Sequence, residues 1–162
     1  MTEKEMLLNT WEREYPVTVK VLSAYPAGKD DMKPHDMSKT AAALAWNFAN
    51  EEDAFVHGVM SGKFEFGMTG PVPATVAEAV AKLEEGHAAL VEKVRGMSGE
   101  ELNGTAPFFV APKTPGEVRK LDLLWMMIMD MVHHRGQFSI YLRMADGKVP
   151  SIYGPMADEP WM

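Results

Sequence analysis

Apolar residues recur at intervals of three and four along most of this chain, and this spacing predicts amphipathic helices rather than strands. The first helix is expected to begin at Thr2, because Thr2 and Glu5 have the spacing of a capping box. Pro16 is expected to bend this helix or to end it early, since proline lacks the N–H that a helix needs. The predicted buried stripe of the helix consists of Leu7, Trp11, Tyr15, Thr18 and Leu22.

Two further helices are predicted over residues 38–60 and 75–95, separated by a segment rich in glycine and proline. Within that segment, residues 63–66 are expected to form a short extended stretch. After the third helix, residues 96–114 are expected to be irregular, apart from a short turn at residues 98–102. The predicted inner stripe of the third helix consists of Val76, Val80, Leu83, His87, Leu90 and Val94.

The last helix is predicted over residues 114–145. Thr114 is its expected N-cap, with Pro115 in the first turn and Glu117 at the third position. This helix is apolar on two faces, one with Leu123, Met127, Phe138 and Tyr141 and the other with Leu124, Ile128, Val132 and Ser139. One face is expected to contact the core, and the other is expected to contact loops or a second copy of the chain. Four amphipathic helices with two long connections predict an all-α four-helix bundle, in one domain spanning residues 1–162.

The charge and composition of the chain limit the partners, the chemistry and the location that we expect for it. The net charge is −7 and the basic residues are scattered, so neither nucleic acid nor an anionic membrane surface is an expected partner. The chain has no cysteine, which excludes disulfides, thiolate metal sites and cysteine nucleophiles. It has no signal-peptide pattern and no apolar run approaching the ~20 residues that span a bilayer, so we expect a cytoplasmic protein.

Polar residues on the inner faces of two predicted helices are the candidates for chemistry. Asn47 and Glu51 share a face of the second helix, and Asp130, His134 and Gln137 share a face of the last. Helical bundles build metal sites from such inward residues on facing helices. Imidazole nitrogen and carboxylate oxygen suit zinc, nickel, iron or manganese.

Each candidate also has a purely structural interpretation. Asp130 and His134 can form a hydrogen-bonded pair without a metal ion, and Asn47 is more typical of a core hydrogen bond than of a metal ligand. His87, on an apolar stripe, is more typical of a buried core histidine than of a ligand. The acidic run at residues 51–53 resembles a partly solvated turn. His133 points about 100° away from His134 on the helical wheel, which favours packing or support over direct binding.

Two neighbours of the histidine pair have expected roles of their own. Arg135 is expected to form a salt bridge that helps to set the packing of the last helix. Gly136 costs about 1 kcal/mol relative to alanine inside a helix, which indicates close approach by another backbone or a large ring.

Several of these residues together resemble the DinB-like (YfiT-like) family. The resemblance is carried by the segment HHRGQFSIYLR at residues 133–143, by Pro150 and Tyr153-Gly154, and by LAWN at residues 44–47 with Glu51. It implies a four-helix bundle that is frequently dimeric. It also implies a divalent metal ion held by three histidines, one on the second helix and two spaced by four on the last.

This chain departs from that ligand pattern. The second-helix histidine of the family aligns with Asn47, and the first histidine of the last-helix pair aligns with Asp130, so only His134 remains. The expected metal ligands are therefore His134, Asp130, Asn47 and Glu51. A third ligand from Glu51 or His87 would give a mixed carboxylate and histidine site. His133, Gln137, His87 and Tyr141 are expected to support the ligands or to line the pocket.

Three functions remain open from the sequence. The resemblance implies a metal-dependent thiol transferase or hydrolase-like enzyme that acts on a small molecule, with nickel, zinc, iron or manganese and a low-molecular-weight thiol. The alternative is a metal-free, catalytically inactive homodimer with a binding or structural role. A third hypothesis is acid–base catalysis by the Asp130–His134 pair without a metal ion.

Overall fold

The computed structural model describes residues 1–64, 67 and 70–162. The chain is mostly helical, with four long helices, one short helix and a two-stranded sheet among the described residues. The extended stretch predicted at residues 63–66 includes Glu65 and Phe66, which lie outside the described residues. The elements in chain order are α1 (Glu3–Ser23), α2 (Ala41–Ser61), α3 (Val76–Gly96), α4 (Gly99–Asn103), β1 (Thr105–Ala111), β2 (Thr114–Arg119) and α5 (Lys120–Met144).

The starts of α1 and α3 agree with the prediction to within one residue, whereas α2 begins at Ala41, three residues after its predicted start. The Thr2 side chain accepts from the Glu5 backbone N–H, and the Glu5 carboxylate accepts from the Thr2 N–H, which completes the capping box. The side-chain oxygen of Thr40 caps α2 by accepting from the Ala43 N–H, and that of Thr75 caps α3 by accepting from the Glu78 N–H. Pro16 does not end α1, which continues to Ser23, because buried residues on both sides of the proline hold the helix against its neighbours.

The prediction of an all-α fold is wrong, because a β-hairpin precedes the last helix. β1 and β2 pair in antiparallel register, from Thr105 opposite Arg119 to Ala111 opposite Thr114. The expected helix start at Thr114 therefore lies in β2, where the backbone is bonded across the hairpin rather than along a helix. α5 begins six residues later, with the Lys120 N–H donating to the Gly104 carbonyl at 2.9 Å.

The four long helices surround the core. α2 packs against α3 and α5, and α1 packs against α5 and α3. Every residue of the stripe predicted for α3 is buried, and so are all of those predicted for α1 except Tyr15, which is partly buried. This arrangement places one face of α2 directly opposite one face of α5.

The second face predicted for the last helix, which contains Leu124, Ile128, Val132 and Ser139, is buried or partly buried. A different side of α5 is exposed and apolar. Met126, Met129, Ile140 and Met144 are 40–66% exposed. They share a face of the helix with Gly136, where an added Cβ would meet no described atom within 4 Å. The expected close approach at Gly136 is therefore absent within the described part of a single copy.

The C-terminal segment returns to α1 and α5. Arg143 pairs with Asp158 and Lys20 with Glu159, while the Tyr153 hydroxyl donates to Glu14 Oε2 at 2.5 Å. The buried Arg135 also binds Glu14 Oε2, at 2.7 Å, which confirms the salt bridge predicted for it. These contacts hold the final segment near the middle of α1.

Candidate metal site between α2 and α5

Facing side chains of α2 and α5 form a cluster of three ligand-type groups. His134 Nε2 lies 3.0 Å from Glu51 Oε1 and 3.5 Å from Asp130 Oδ2. One ligand atom from each of Glu51, Asp130 and His134 lies within 4.8 Å of the other two. The Glu51 and His134 side chains are only 16% and 17% exposed, whereas that of Asp130 is 45% exposed. The cluster is thus open to solvent on the Asp130 side.

Gln137 supports the imidazole from the side opposite to the carboxylates. Gln137 Oε1 lies 3.0 Å from His134 Nδ1, and Gln137 Nε2 lies 2.9 Å from His133 Nε2. Because an amide oxygen can only accept, His134 carries a proton on Nδ1. In neutral His134 this tautomer leaves the lone pair of Nε2 facing Glu51 and Asp130. A hydrogen bond to the second nitrogen is a usual feature of metal-binding histidines.

Asn47 presents its amide nitrogen, rather than its oxygen, to the cluster. Lys39 Nζ donates to Asn47 Oδ1 at 2.6 Å, and an ammonium group has only donors, so the oxygen faces Lys39. Asn47 Nδ2 then lies 3.4 Å from His134 Nε2. In this orientation Asn47 Nδ2 can donate to an acceptor beside the cluster. Asn47 Oδ1, the atom that could bind a metal ion, points away from the cluster.

Electrostatics favour positive charge at this position. The hydrogen bond with Glu51 raises the pKa of His134 most strongly, burial opposes this, and Gln137 and Asp130 raise the pKa further. Glu51 Oε2 is buried and has no hydrogen-bond partner among the described residues. A buried carboxylate oxygen without a donor is costly unless a cation or another donor contacts it. The donor set of two carboxylates and one imidazole therefore fits a divalent ion.

His87 lies in a different buried cluster. His87 Nδ1 is 3.0 Å from Glu52 Oε1, which also accepts from Trp11 Nε1 at 2.7 Å, and the His87 ring stacks on Tyr15. The acidic run at residues 51–53 is therefore not a solvated turn: Glu51 faces α5, Glu52 is 1% exposed, and only Asp53 is exposed. Successive residues on a helix point about 100° apart, so helical geometry could have predicted that residues 51–53 face different surroundings.

A cavity of about 380 Å³ adjoins the cluster. It lies between the segment before α2 and the facing sides of α2 and α5, and Asn47, His134 and Gln137 form its boundary with the cluster. Tyr141 lines the cavity and its hydroxyl donates to the Lys39 carbonyl at 2.9 Å. Sequence reasoning did not identify five further lining residues, because the cavity forms only where α2, α5 and the segment before α2 pack together: Pro34, Ser38, Lys39, Leu44 and Ile140.

Comparisons with known proteins agree with this architecture. The model of the DinB family matches residues 1–161. The uncharacterized protein YrdA of Bacillus subtilis (strain 168) is 23% identical over 159 residues, which cover 95% of this chain and 89% of YrdA.

Solved structures share the fold at low sequence identity. A DinB-like protein from Bacillus cereus superposes with a TM-score of 0.77 at 23% identity, covering 92% of this chain and 97% of that one. The DinB-like protein YjoA from Bacillus subtilis gives a TM-score of 0.69 at 15% identity, covering 97% and 99%. Across the described residues, no helix is both long and apolar enough to cross a membrane.

Proposed function

This chain belongs to the DinB family, and from that premise we propose that Glu51, Asp130 and His134 bind a divalent metal ion that serves a reaction on a small substrate. The observation that carries the proposal is the convergence of three ligand atoms within 4.8 Å, one of them on a carboxylate whose second oxygen is buried and unpartnered among the described residues. The reaction class we propose is hydrolysis or transfer of a low-molecular-weight thiol.

The donor set bears on which metal ion is preferred. Carboxylate oxygens suit harder ions such as Mn²⁺, whereas additional imidazoles favour zinc and nickel. With two carboxylates and one imidazole, this site is expected to favour nickel and zinc over manganese and iron less strongly than a site of three imidazoles would.

The residues around the ligands have separable tasks in this proposal. A bound divalent ion supplies Lewis acidity, which polarises a substrate carbonyl or lowers the pKa of water or a thiol. Gln137 orients the His134 ring, and Asn47 Nδ2 donates to a substrate oxygen placed beside the ligands. Leu44 and Tyr141 contribute to the wall of the cavity.

Metal content tests this proposal directly. We expect chelator-washed protein, incubated with each of manganese, iron, zinc and nickel and then desalted, to retain close to one ion per chain by mass spectrometry. His134→Ala should lose that ion, because it removes the one nitrogen ligand and leaves two carboxylates facing each other. The control His57→Ala changes an exposed α2 histidine outside the cluster and should retain the ion. Equal metal content in the wild type and His134→Ala would refute the proposal.

The second candidate function is a metal-free dimer, and the exposed face of α5 favours its dimeric part. Met126, Met129, Ile140 and Met144 form an apolar strip on a helix whose opposite side is in the core. We propose that a second copy covers this strip, with the four long helices of each copy forming a four-helix bundle. This homodimer is compatible with either an active or an inactive metal site.

A further inference from the structure

Among the described residues that line the cavity beside the cluster there is one lysine, Lys39, and no arginine. The Lys39 ammonium donates to the neutral Asn47 amide, and no salt bridge to Lys39 is found among the described residues. By contrast, Lys20, Lys29 and Lys82 each pair with a carboxylate. The charge of Lys39 is therefore available to an anion that enters the cavity.

The position of Lys39 is held by the cavity's own wall. The Tyr141 hydroxyl donates to the Lys39 carbonyl at 2.9 Å, so α5 anchors the backbone that carries the ammonium group. The hydrogen bond from Nζ to Asn47 Oδ1 then directs the ammonium toward α2. A lysine that is anchored at both ends loses less conformational freedom when it binds a ligand than a free surface lysine does.

The remaining walls of the cavity indicate what is attached to the anionic group. Pro34, Leu44 and Ile140 contribute apolar surface, and a volume of about 380 Å³ suits a small molecule. A single lysine matches a single negative charge. Glu51 and Asp130, which both contact His134 at the edge of the cavity, disfavour a ligand with two negative charges there.

We propose that this cavity is the substrate site for the reaction proposed above, and that it selects a small monocarboxylate with a short apolar chain. Lys39 binds the carboxylate, Leu44 and Ile140 contact the apolar chain, and the rest of the substrate reaches Asn47 and His134. This inference rests on the proposed metal-dependent function for the reaction, but the role of Lys39 in anion binding can be measured without turnover.

The test uses two probes of similar shape, 4-methylpentanoate and the uncharged 4-methylpentanamide. Binding is followed by NMR titration of the metal-free and the Zn²⁺-loaded protein. We expect the wild type to bind the carboxylate at least about tenfold more tightly than the amide, since a hydrogen bond to a charged group contributes more than a neutral one. Lys39→Gln should abolish this preference and Lys39→Arg should retain most of it. Lys33→Gln, in the same segment but outside the cavity, should leave it unchanged.

Zinc affinity is measured separately, by competition with a fluorescent chelator. It distinguishes failure of the proposed metal site from failure of the proposed role of Lys39. We expect Lys39→Gln to bind zinc like the wild type and His134→Ala to lose it. Absence of zinc binding in the wild type would refute the proposed function, while the carboxylate preference of the metal-free protein would still decide the role of Lys39. Equal binding of the two probes, or a preference that survives Lys39→Gln, would overturn the Lys39 proposal even in a protein that binds zinc.

Discussion

At the scale of single residues, two neighbouring polar residues of α5, His134 and Arg135, each contact a carboxylate on another helix. His134 and Arg135 were both recognisable as polar residues in an apolar helix, and both have buried acidic partners, Glu51 and Glu14. The partners lie on other helices, 83 and 121 residues away in the chain. Helical spacing relates only residues within one helix, so a pair between helices cannot be read from it.

Glu14 illustrates how such a buried pair makes stability depend on pH. Burial raises the pKa of Glu14, but hydrogen bonds from Tyr153 and Arg135 outweigh it and hold the pKa below the ordinary value of 4.5. Because the pKa is lower in the folded than in the unfolded state, ionised Glu14 stabilises the fold above about pH 4.5. This contribution declines as the pH falls through the folded-state pKa.

We therefore expect Glu14→Gln to be less stable than the wild type at pH 7, by about 3 kcal/mol, because the buried Arg135 loses its anionic partner. The difference should become smaller below pH 4.5, where Glu14 of the wild type also becomes neutral. Urea unfolding at several pH values measures both effects. Glu12→Gln, which changes an exposed partner of Arg95, is the control and should show little change at any pH. A difference for Glu14→Gln that is constant with pH would contradict this account.

At the scale of elements, the sequence predicted the helices well because their caps and stripes are local signals. The starts of α1 and α3 follow from Thr2 and Thr75, and the α3 stripe is buried throughout. The hairpin was missed because Thr114, Pro115 and Glu117 imitate a helix start in a segment that pairs with β1. Strand pairing depends on a partner segment, which the local capping pattern does not include. That pattern alone therefore assigned β2 to a helix incorrectly.

The facing of α2 and α5 also explains how the ligand set can be changed without changing the fold. Asn47 contacts His134, and Asp130 is one helical turn before it, so both positions already face the candidate site. The double substitution Asn47→His and Asp130→His would provide three imidazoles, the pattern implied by the family resemblance. We expect it to raise affinity for zinc and nickel at least about tenfold and to lower the relative affinity for manganese.

Competition with a calibrated chelator measures these affinities, and circular dichroism checks the helix content. The control pair is Asn9→His with Asp31→His, which adds two exposed histidines away from α2 and α5. If the control pair gains as much zinc affinity as Asn47→His with Asp130→His, the gain comes from surface histidines. In that case the facing of α2 and α5 would not define the site.

At the scale of the whole molecule, α5 has an exposed apolar strip in addition to the two faces that the sequence predicted. The inner side accounts for Leu123, Leu124 and Met127, which are fully buried. The outer strip of Met126, Met129, Ile140 and Met144 is not covered by any loop that the structure describes, and a second copy is the occupant that we propose for it.

We expect the exposed apolar strip of α5 to mediate association of two copies of the chain. Met129, at 66% exposure, lies beside Gly136 and Ile140 on the outer strip, so we expect Met129→Glu to place a charge in the dimer contact and convert the dimer to a monomer. Light scattering coupled to size exclusion gives the mass directly. Met6→Glu, which changes a methionine of 45% exposure on α1, is the matched control and should remain dimeric. A wild-type mass of 18.0 kDa would refute association, and a dimer that persists in Met129→Glu would assign it to another surface. Because the strip borders Asp130 and Gln137 on the same helix, a second copy bound there would also narrow the solvent-exposed side of the candidate metal site.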